Sequence, residues 1–474
     1  MRILKIVFCS LFVLTGVNAS TLTLKDFLDE VAKGNQGYSS SEKSVEAGQL
    51  KSEEGDLMLA YSFFANYQNS NDKRESDFEV ITGDRVTNNT LSFGFSKLTS
   101  FGFSGSLHYD ISYTYLHGAN PAFLSSNYFY QTSPVLEFKQ SFWQNAFGRQ
   151  TRAIIEATDA RNLSNSYSAS YDSKKTLSDA ESIYWKESLV KDLVKIKQDN
   201  LDRAEKIKEW AQRRTKLNLA DKVDLLQAEA NYKMAQMDLQ VALDDEKEAA
   251  RVFNTTRGVN SDEFADATEM MTVESVIAMP IPERKGVRDD VASLREAARS
   301  AAANAKLSRD RNRPTFELFS MLSLNGRDPN FDPSFKESWR GNYPYTVVGL
   351  KFSAPLDFGS IGRVNSGYDL DKVAAEYMYE RKSFETDREW DNLVKKVTDM
   401  KERLKIAKEL EDAQYNKYVY EHNRLKLGRT TTYQVITFEQ DYANAQYNRL
   451  GMQLQILQSL ANMKTFIGKE EQKI

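Results

Sequence analysis

Residues 101–115, FGFSGSLHYDISYTY, alternate with period two. The odd positions (Phe101, Phe103, Leu107, Tyr109, Ile111, Tyr113, Tyr115) are aromatic or aliphatic, broken only at Gly105. The even ones (Gly102, Ser104, Ser106, His108, Asp110, Ser112, Thr114) are small or polar. Successive side chains of a strand point to opposite faces, so this strand has a greasy face and a wet one. Alternation alone favours a half-buried soluble sheet. A barrel wall with lipid outside and water inside makes the same pattern. Shorter runs of the same kind stand at 61–67, 89–97, 134–142, 315–324 and 346–354. Tyrosines near the strand ends favour the membrane wall, and so does the amino terminus.

Residues 1–19 read MRILKIVFCSLFVLTGVNA. Arg2 and Lys5 precede an apolar run from Ile6 to Leu14, and Val17 and Ala19 put small residues before Ser20. That is the order of a cleavable export signal, and the run is too short to span a bilayer. No later stretch holds 18 apolar residues in a row, so no transmembrane helix is expected.

The 474 residues carry 63 Lys and Arg against 67 Asp and Glu, with no long block of one sign. Nucleic acid, which needs a basic face, is therefore not an expected partner. The one cysteine, Cys9, falls in the leader, which excludes disulfides, thiolate metal sites and cysteine nucleophiles from the exported chain. The three histidines, His108, His117 and His422, make no zinc spacing, and His422 reads as a solvated helix residue. There is no Gly-rich phosphate loop, nucleophile elbow or carboxylate dyad, so neither an enzyme nor a cofactor is expected.

Stretches 135–279 and 356–474 contain no proline, which permits long helices. Leu189, Val190, Leu193, Val194, Ile196, Leu201, Ala204, Ile207 and Ala211 recur mostly at three and four. A helix from about 150 to 217 is expected, roughly 100 Å long at 1.5 Å per residue. A second is expected over 363–426. Trp185, Trp210 and Trp390 on these helices read as packing residues. Trp143, Trp339, Tyr343 and Tyr345 lie near strand ends and suit an interfacial belt.

The chain is an internal duplication. Leu136 to Arg149 matches Leu350 to Arg363 at an offset of 214, and Lys216 to Glu229 matches Lys426 to Glu439 at 210. Tyr232/Tyr442, Ala235/Ala445 and Gln236/Gln446 keep the second offset. After the leader, 20–254 is the first repeat, 255–285 a linker and 286–474 the second repeat. Residues 89–115 are extra strands in the first repeat. Without them there are four matched strands per chain, leaving open edges that lipid does not tolerate. A membrane wall then needs several chains to share one barrel.

The order of parts resembles the TolC-type outer-membrane efflux protein family over nearly the whole exported chain. The resemblance rests on Leu22-Thr-Leu-Lys-Asp-Phe27 and on the passages ending Gly148-Arg149 and Gly362-Arg363. It rests further on Leu427-Gly428 with Val435-Ile436, and on Asn218 with Asp224 to Ala228. It implies a homotrimer with a twelve-stranded β-barrel in outer-membrane lipid and a long α-helical tunnel in the periplasm. The fold expected is thus mainly α with a β-barrel part. A periplasmic adaptor protein would join the tunnel to an inner-membrane pump, in an efflux or type I secretion system. The strong hydrophilicity, mean hydropathy −0.56, fits a helical wall wet on both faces. The 89–115 hairpin either joins the wall, giving eighteen strands, or extends near the outer surface, which is the reading preferred from sequence.

By the same resemblance the helix breaks form the periplasmic mouth. Asp224, Gln434 and Thr437 then fall at the aperture, and Asn218, Leu219, Gly428 and Arg429 at the adaptor groove. Leu425 and Thr430 stand where a tyrosine and an arginine would latch the mouth, with Arg429 beside the second. Asp221 with Asp224, and Thr431 with Gln434, also read as capping boxes, and the two roles are compatible. The competing reading is a periplasmic coiled-coil protein that tethers the envelope and has no pore.

Overall fold

The computed structural model describes residues 21–468 apart from 76, 264–266 and 270. The export leader expected over 1–19 lies outside the described residues. The chain opens with β1 (Thr21–Leu22), α1 (Leu24–Gly34), α2 (Gln36–Leu50), β2 (Ser62–Asp72) and a single turn α3 (Glu79–Thr82). There follow β3 (Arg85–Leu98), β4 (Phe103–His117), β5 (Tyr128–Ser141), α4 (Arg149–Lys216) and α5 (Lys222–Thr256). Then come β6 (Ala267–Thr268), α6 (Val273–Ala278), α7 (Asp289–Arg311), β7 (Thr315–Leu324) and β8 (Gly326–Asp328). The chain ends with α8 (Phe331–Ser338), β9 (Pro344–Ser353), α9 (Phe358–Lys426) and α10 (Thr432–Met463). At 68 and 69 residues, α4 and α9 are the long helices the sequence predicts, each about 100 Å in length.

Two compact units divide the described chain. The one formed by 45–168 and 290–383 holds the large sheet, whose order is β2-β3-β4-β5-β7-β9, with β8 pairing β5 beside β7. All neighbours are antiparallel. The extra hairpin does not extend away from this sheet. β3 and β4 pair with each other and with β2 and β5 along nearly their full length. Their turn abuts the strand-to-helix passage, where Arg152 donates to the Ser100 carbonyl at 3.2 Å. The expected projection fails because fourteen residues of alternating side chains satisfy their backbone only inside a sheet. Below the sheet, small residues let helices approach closely. Ser164 and Ser293 each donate to the other's carbonyl at 2.8 Å across α4 and α7. Ser308 donates to Asn365 at 3.0 Å across α7 and α9.

The other unit comprises residues up to 44, 169–289 and 384 onward. Its core joins Phe27, Val31, Tyr184, Trp185 and Phe253 to Val397, Leu404, Ile456, Leu457 and Met463. The Tyr184 hydroxyl donates to the Leu22 carbonyl at 2.7 Å and accepts from the Glu269 amide at 3.0 Å, which fixes the parallel pair β1 and β6. Burial pushes this phenol up to about 12. Trp185, Trp210 and Trp390 all pack in cores, as their helical positions predict.

Candidate functional site

The α4–α5 and α9–α10 breaks are built alike. Asn218 and Gly428 take positive φ, 55° and 68°, ending each long helix. Leu219 donates its amide to the Arg214 carbonyl at 2.9 Å, and Arg429 to the Arg424 carbonyl at 2.9 Å. Each arginine closes the turn from the other side. Arg214 donates to the Leu219 carbonyl at 3.0 Å, and Arg424 to the Arg429 carbonyl at 3.1 Å. A cluster of Ile207, Ala211, Ala228, Tyr418, Leu425, Val435 and Ile436 holds the paired helices beside the breaks. Farther along, Gln236 bonds the Tyr232 hydroxyl at 2.9 Å and Gln446 that of Tyr442 at 3.0 Å. The sequence duplication is thus a duplication of contacts. Arg214 and Arg424 were not among the residues singled out. An arginine in a last helical turn reads as a dipole partner, and only its recurrence at offset 210 marks it.

Asp221 caps α5 by accepting from the Val223 amide at 3.0 Å, and Thr431 caps α10 by accepting from the Gln434 amide at 3.3 Å. Neither box is reciprocal, because no side-chain bond from Asp224 or Gln434 returns to its cap residue among the described residues. The half-exposed Asp224 makes no side-chain hydrogen bond or ion pair among the described residues. The Thr437 hydroxyl donates to its own helix at the Tyr433 carbonyl, 3.0 Å away. Leu219, Gly428 and Arg429 are exposed at the breaks with Leu217 and Leu427, an apolar tip edged by cations. Leu425 is 1 % exposed and belongs to the core, so it faces no opening. His422 is not a solvated residue. It is half-buried against the Tyr418 ring, its Nδ1 without a partner. Burial, then Lys426 and Lys206, lowers its pKa. Glu439 is buried beside Arg203 at 3.1 Å. Burial pushes its carboxyl up, against the pull of that guanidinium.

The sheet carries the other candidate surface. Cross-strand register puts Phe63, Phe95, Leu107, Leu136 and Leu322 in one row. The rows toward the helices bring Phe138, Val348, Leu318, Leu350, Phe316 and Phe352 to the same face. Most of these side chains are exposed in the single chain. From Phe142 to Thr132 is about ten residues. At ~3.4 Å each and a tilt near 40° that spans ~26 Å, the height of an outer-membrane apolar band. Beyond it Tyr113, Tyr128 and Tyr130 cluster, with Tyr113 and Tyr130 centroids 5.0 Å apart, as in an aromatic girdle. The opposite face is wet. It holds a concavity of ≈ 470 Å³ lined in part by Ser92, Ser106, His108, Asp110, Glu137 and Lys139.

α8 lies on the apolar face at the level of Tyr109 and Thr132. Tyr109 meets Ser338 at 2.8 Å and Thr132 meets Ser334 at 3.1 Å. The backbone there comes so close that a Cβ on Gly326 would stand 2.0 Å from the Ser334 carbonyl oxygen. Phe331, Phe335 and Trp339 remain exposed along it. Sequence reading missed this helix, although the i, i+4 spacing of those three and of Ser334 with Ser338 marks it. Trp143, Trp339, Tyr343 and Tyr345 are all exposed, but Tyr345 pairs with Ser323 and so stands on the wet face, which removes it from a belt on the apolar one. No helix among the described residues is long and apolar enough to cross a membrane, and no group of acids, cysteines or histidines there could hold a metal.

No sequence-family model matches the chain, and no curated protein matches it. Solved structures do match. The outer-membrane channel OprN shares 14% identity at a TM-score of 0.68, over 94% of this chain and 89% of its own. The outer membrane protein VceC from Vibrio cholerae shares 12% at 0.67, over 94% and 97%. The outer membrane channel CmeC of Campylobacter jejuni shares 14% at 0.66, over 95% and 87%. The chain has the fold of TolC-type outer-membrane channels, long helices joined to a sheet, through nearly its whole length.

Proposed function

We propose that the chain is a passive exit duct of the outer membrane, working as a homotrimer in a tripartite efflux or type I secretion system. The observation that carries this reading is the apolar face of the sheet, continuous across six strands and about as tall as a bilayer's apolar band. A soluble envelope tether has no use for such a face, which in water is an aggregation liability. The likeness of fold to outer-membrane channels supports the same reading. The wet face then lines the pore, and the helices continue it into the periplasm.

The twin breaks form the periplasmic mouth. Leu219 and Arg429, with the backbone turns at Asn218 and Gly428, offer an apolar and cationic tip to a periplasmic adaptor that joins an inner-membrane pump. Three Asp224 carboxylates around the axis favour cations and resist anions. Gln434 and Thr437 add a neutral ring. Nothing in this duct needs a catalytic group, since cargo moves without bond chemistry.

The test is the mass of the detergent-solubilised protein by light scattering, with its conductance in a planar bilayer. The expected result is three chains per particle and discrete, cation-preferring steps, the preference weakened in Asp224→Ala. A water-soluble monomer without conductance sinks the duct and puts the envelope tether in its place.

A further inference from the structure

The sheet ends in two unpaired edges, β2 on one side and β9 on the other. They are 11 and 10 residues long, so each offers a row of backbone groups of nearly equal length. In lipid those groups must be paired, and one chain cannot curl six strands around to do it. Six strands alternate in direction, so β2 and β9 run oppositely. β9 of one copy laid beside β2 of the next is therefore an ordinary antiparallel ladder, head to tail, of the kind that closes into a ring. The faces agree as well. Phe63 and Tyr67 on β2 share the apolar face with Val348, Leu350 and Phe352 on β9, so the seam leaves no polar gap in the band.

The geometry points to a second copy of this chain as the partner of both edges, and to a closed wall of eighteen strands, six from each of three copies. This rests on the trimeric duct reading and deepens it. Four strands per copy would close at twelve. Here the β3–β4 hairpin sits between β2 and β5 and pairs with both, so it belongs to the wall. Barrel diameter grows roughly in proportion to strand number, and walls of 16–18 strands enclose an open aqueous channel. The outer opening of this duct is accordingly of porin width, lined on the extra strands by Ser92, Ser106, His108 and Asp110. Selection among cargoes then falls to the helical end.

Two experiments on the full-length protein in its membrane test this. The sequence's single cysteine lies in the expected leader, so introduced thiols report alone. With a membrane-impermeant thiol reagent, Ser92→Cys and Ser106→Cys are expected to label from the water-filled lumen. Phe95→Cys and Leu107→Cys, on the same two strands but on the lipid face, are expected to lose that labelling. Equal labelling of all four overturns the proposal, because the hairpin would then stand in water. Second, Gln68→Cys is combined in turn with Tyr345→Cys, Val347→Cys and Lys351→Cys and treated with a short bismaleimide. At least one pair is expected to give a covalent ladder ending at three chains, while the single variants give none. A ladder ending at two chains, or none from any pair, overturns the seam of eighteen. If the protein still scatters as a trimer and conducts, the duct reading survives that failure. If trimer and conductance are absent in the unmodified protein, the duct reading itself has failed.

Discussion

Glu187 stands on α4 with 0 % of its surface exposed, and neither carboxylate oxygen has a hydrogen-bond partner. Burial, reinforced by Glu246 and opposed by Lys191, pushes its pKa up to about 7 from 4.5. Between those values the folded chain binds more protons than the unfolded one, so stability falls as pH rises. The cost is complete above the folded pKa. Replacing the acid by an isosteric amide removes it, so Glu187→Gln is expected to stabilise by about 3 kcal/mol at pH 8 and by less than about 1 kcal/mol at pH 5. Melting curves of both proteins at the two pH values check this. An equal shift at both would mean that packing, not ionisation, sets the difference. The sequence gives no sign of such a residue, because a carboxylate at helical spacing reads as part of a solvated face. The breaks at Asn218 and Gly428 are legible for the opposite reason. A tolerance for positive φ belongs to the residue itself, and needs no knowledge of neighbours.

Elements were legible where their period is long. Each of the six main strands forms where two-residue alternation predicts one, since the pleat alone sets that period. α4 and α9 follow from three-and-four spacing without proline. α8 was hidden because it is short, carries Pro333 in its first turn, and folds back over a strand far from it in sequence. Its position makes a claim on the bilayer. It covers Tyr109 at the outer end of the apolar band, where the Phe335 and Trp339 rings lie 5.5 and 6.0 Å from that of Tyr109 and Phe331 lies 5.8 Å from Tyr130, and all three keep an exposed flank. In the proposed duct, an amphipathic helix placed there lies in the plane of the lipid interface. In a variant keeping Trp339 and replacing the other four tryptophans by phenylalanine, brominated phospholipid is expected to quench the remaining fluorescence. Aqueous iodide is expected to do so weakly. Strong iodide quenching without bromine quenching would place α8 in water and remove it from the belt.

At the scale of the whole molecule, the duplication was legible because two copies of a chain that fold alike keep the same residues at fixed offsets. What one chain's sequence does not show is which of its faces another copy covers. α9 supplies an instance. Leu370, Val373 and Tyr377 recur at three and four on one stripe and are exposed in the single chain. On α9's contact with α7, in contrast, Ser308 and Asn365 meet by hydrogen bond and Arg309 pairs with Asp369. An apolar stripe on a helix otherwise rich in charge is a packing face without its partner. In a homotrimer a neighbouring copy is the available cover. The double variant Leu370→Asp, Tyr377→Asp is then expected to run as a single chain in mild detergent by light scattering. Its helical content by circular dichroism is expected to stay unchanged, because the stripe contributes to no core within the chain. If the trimer persists, the stripe faces solvent and the copies are held together elsewhere. If helicity collapses as well, the long helices form only on assembly, since propensity alone rarely sustains a polar helix without tertiary packing.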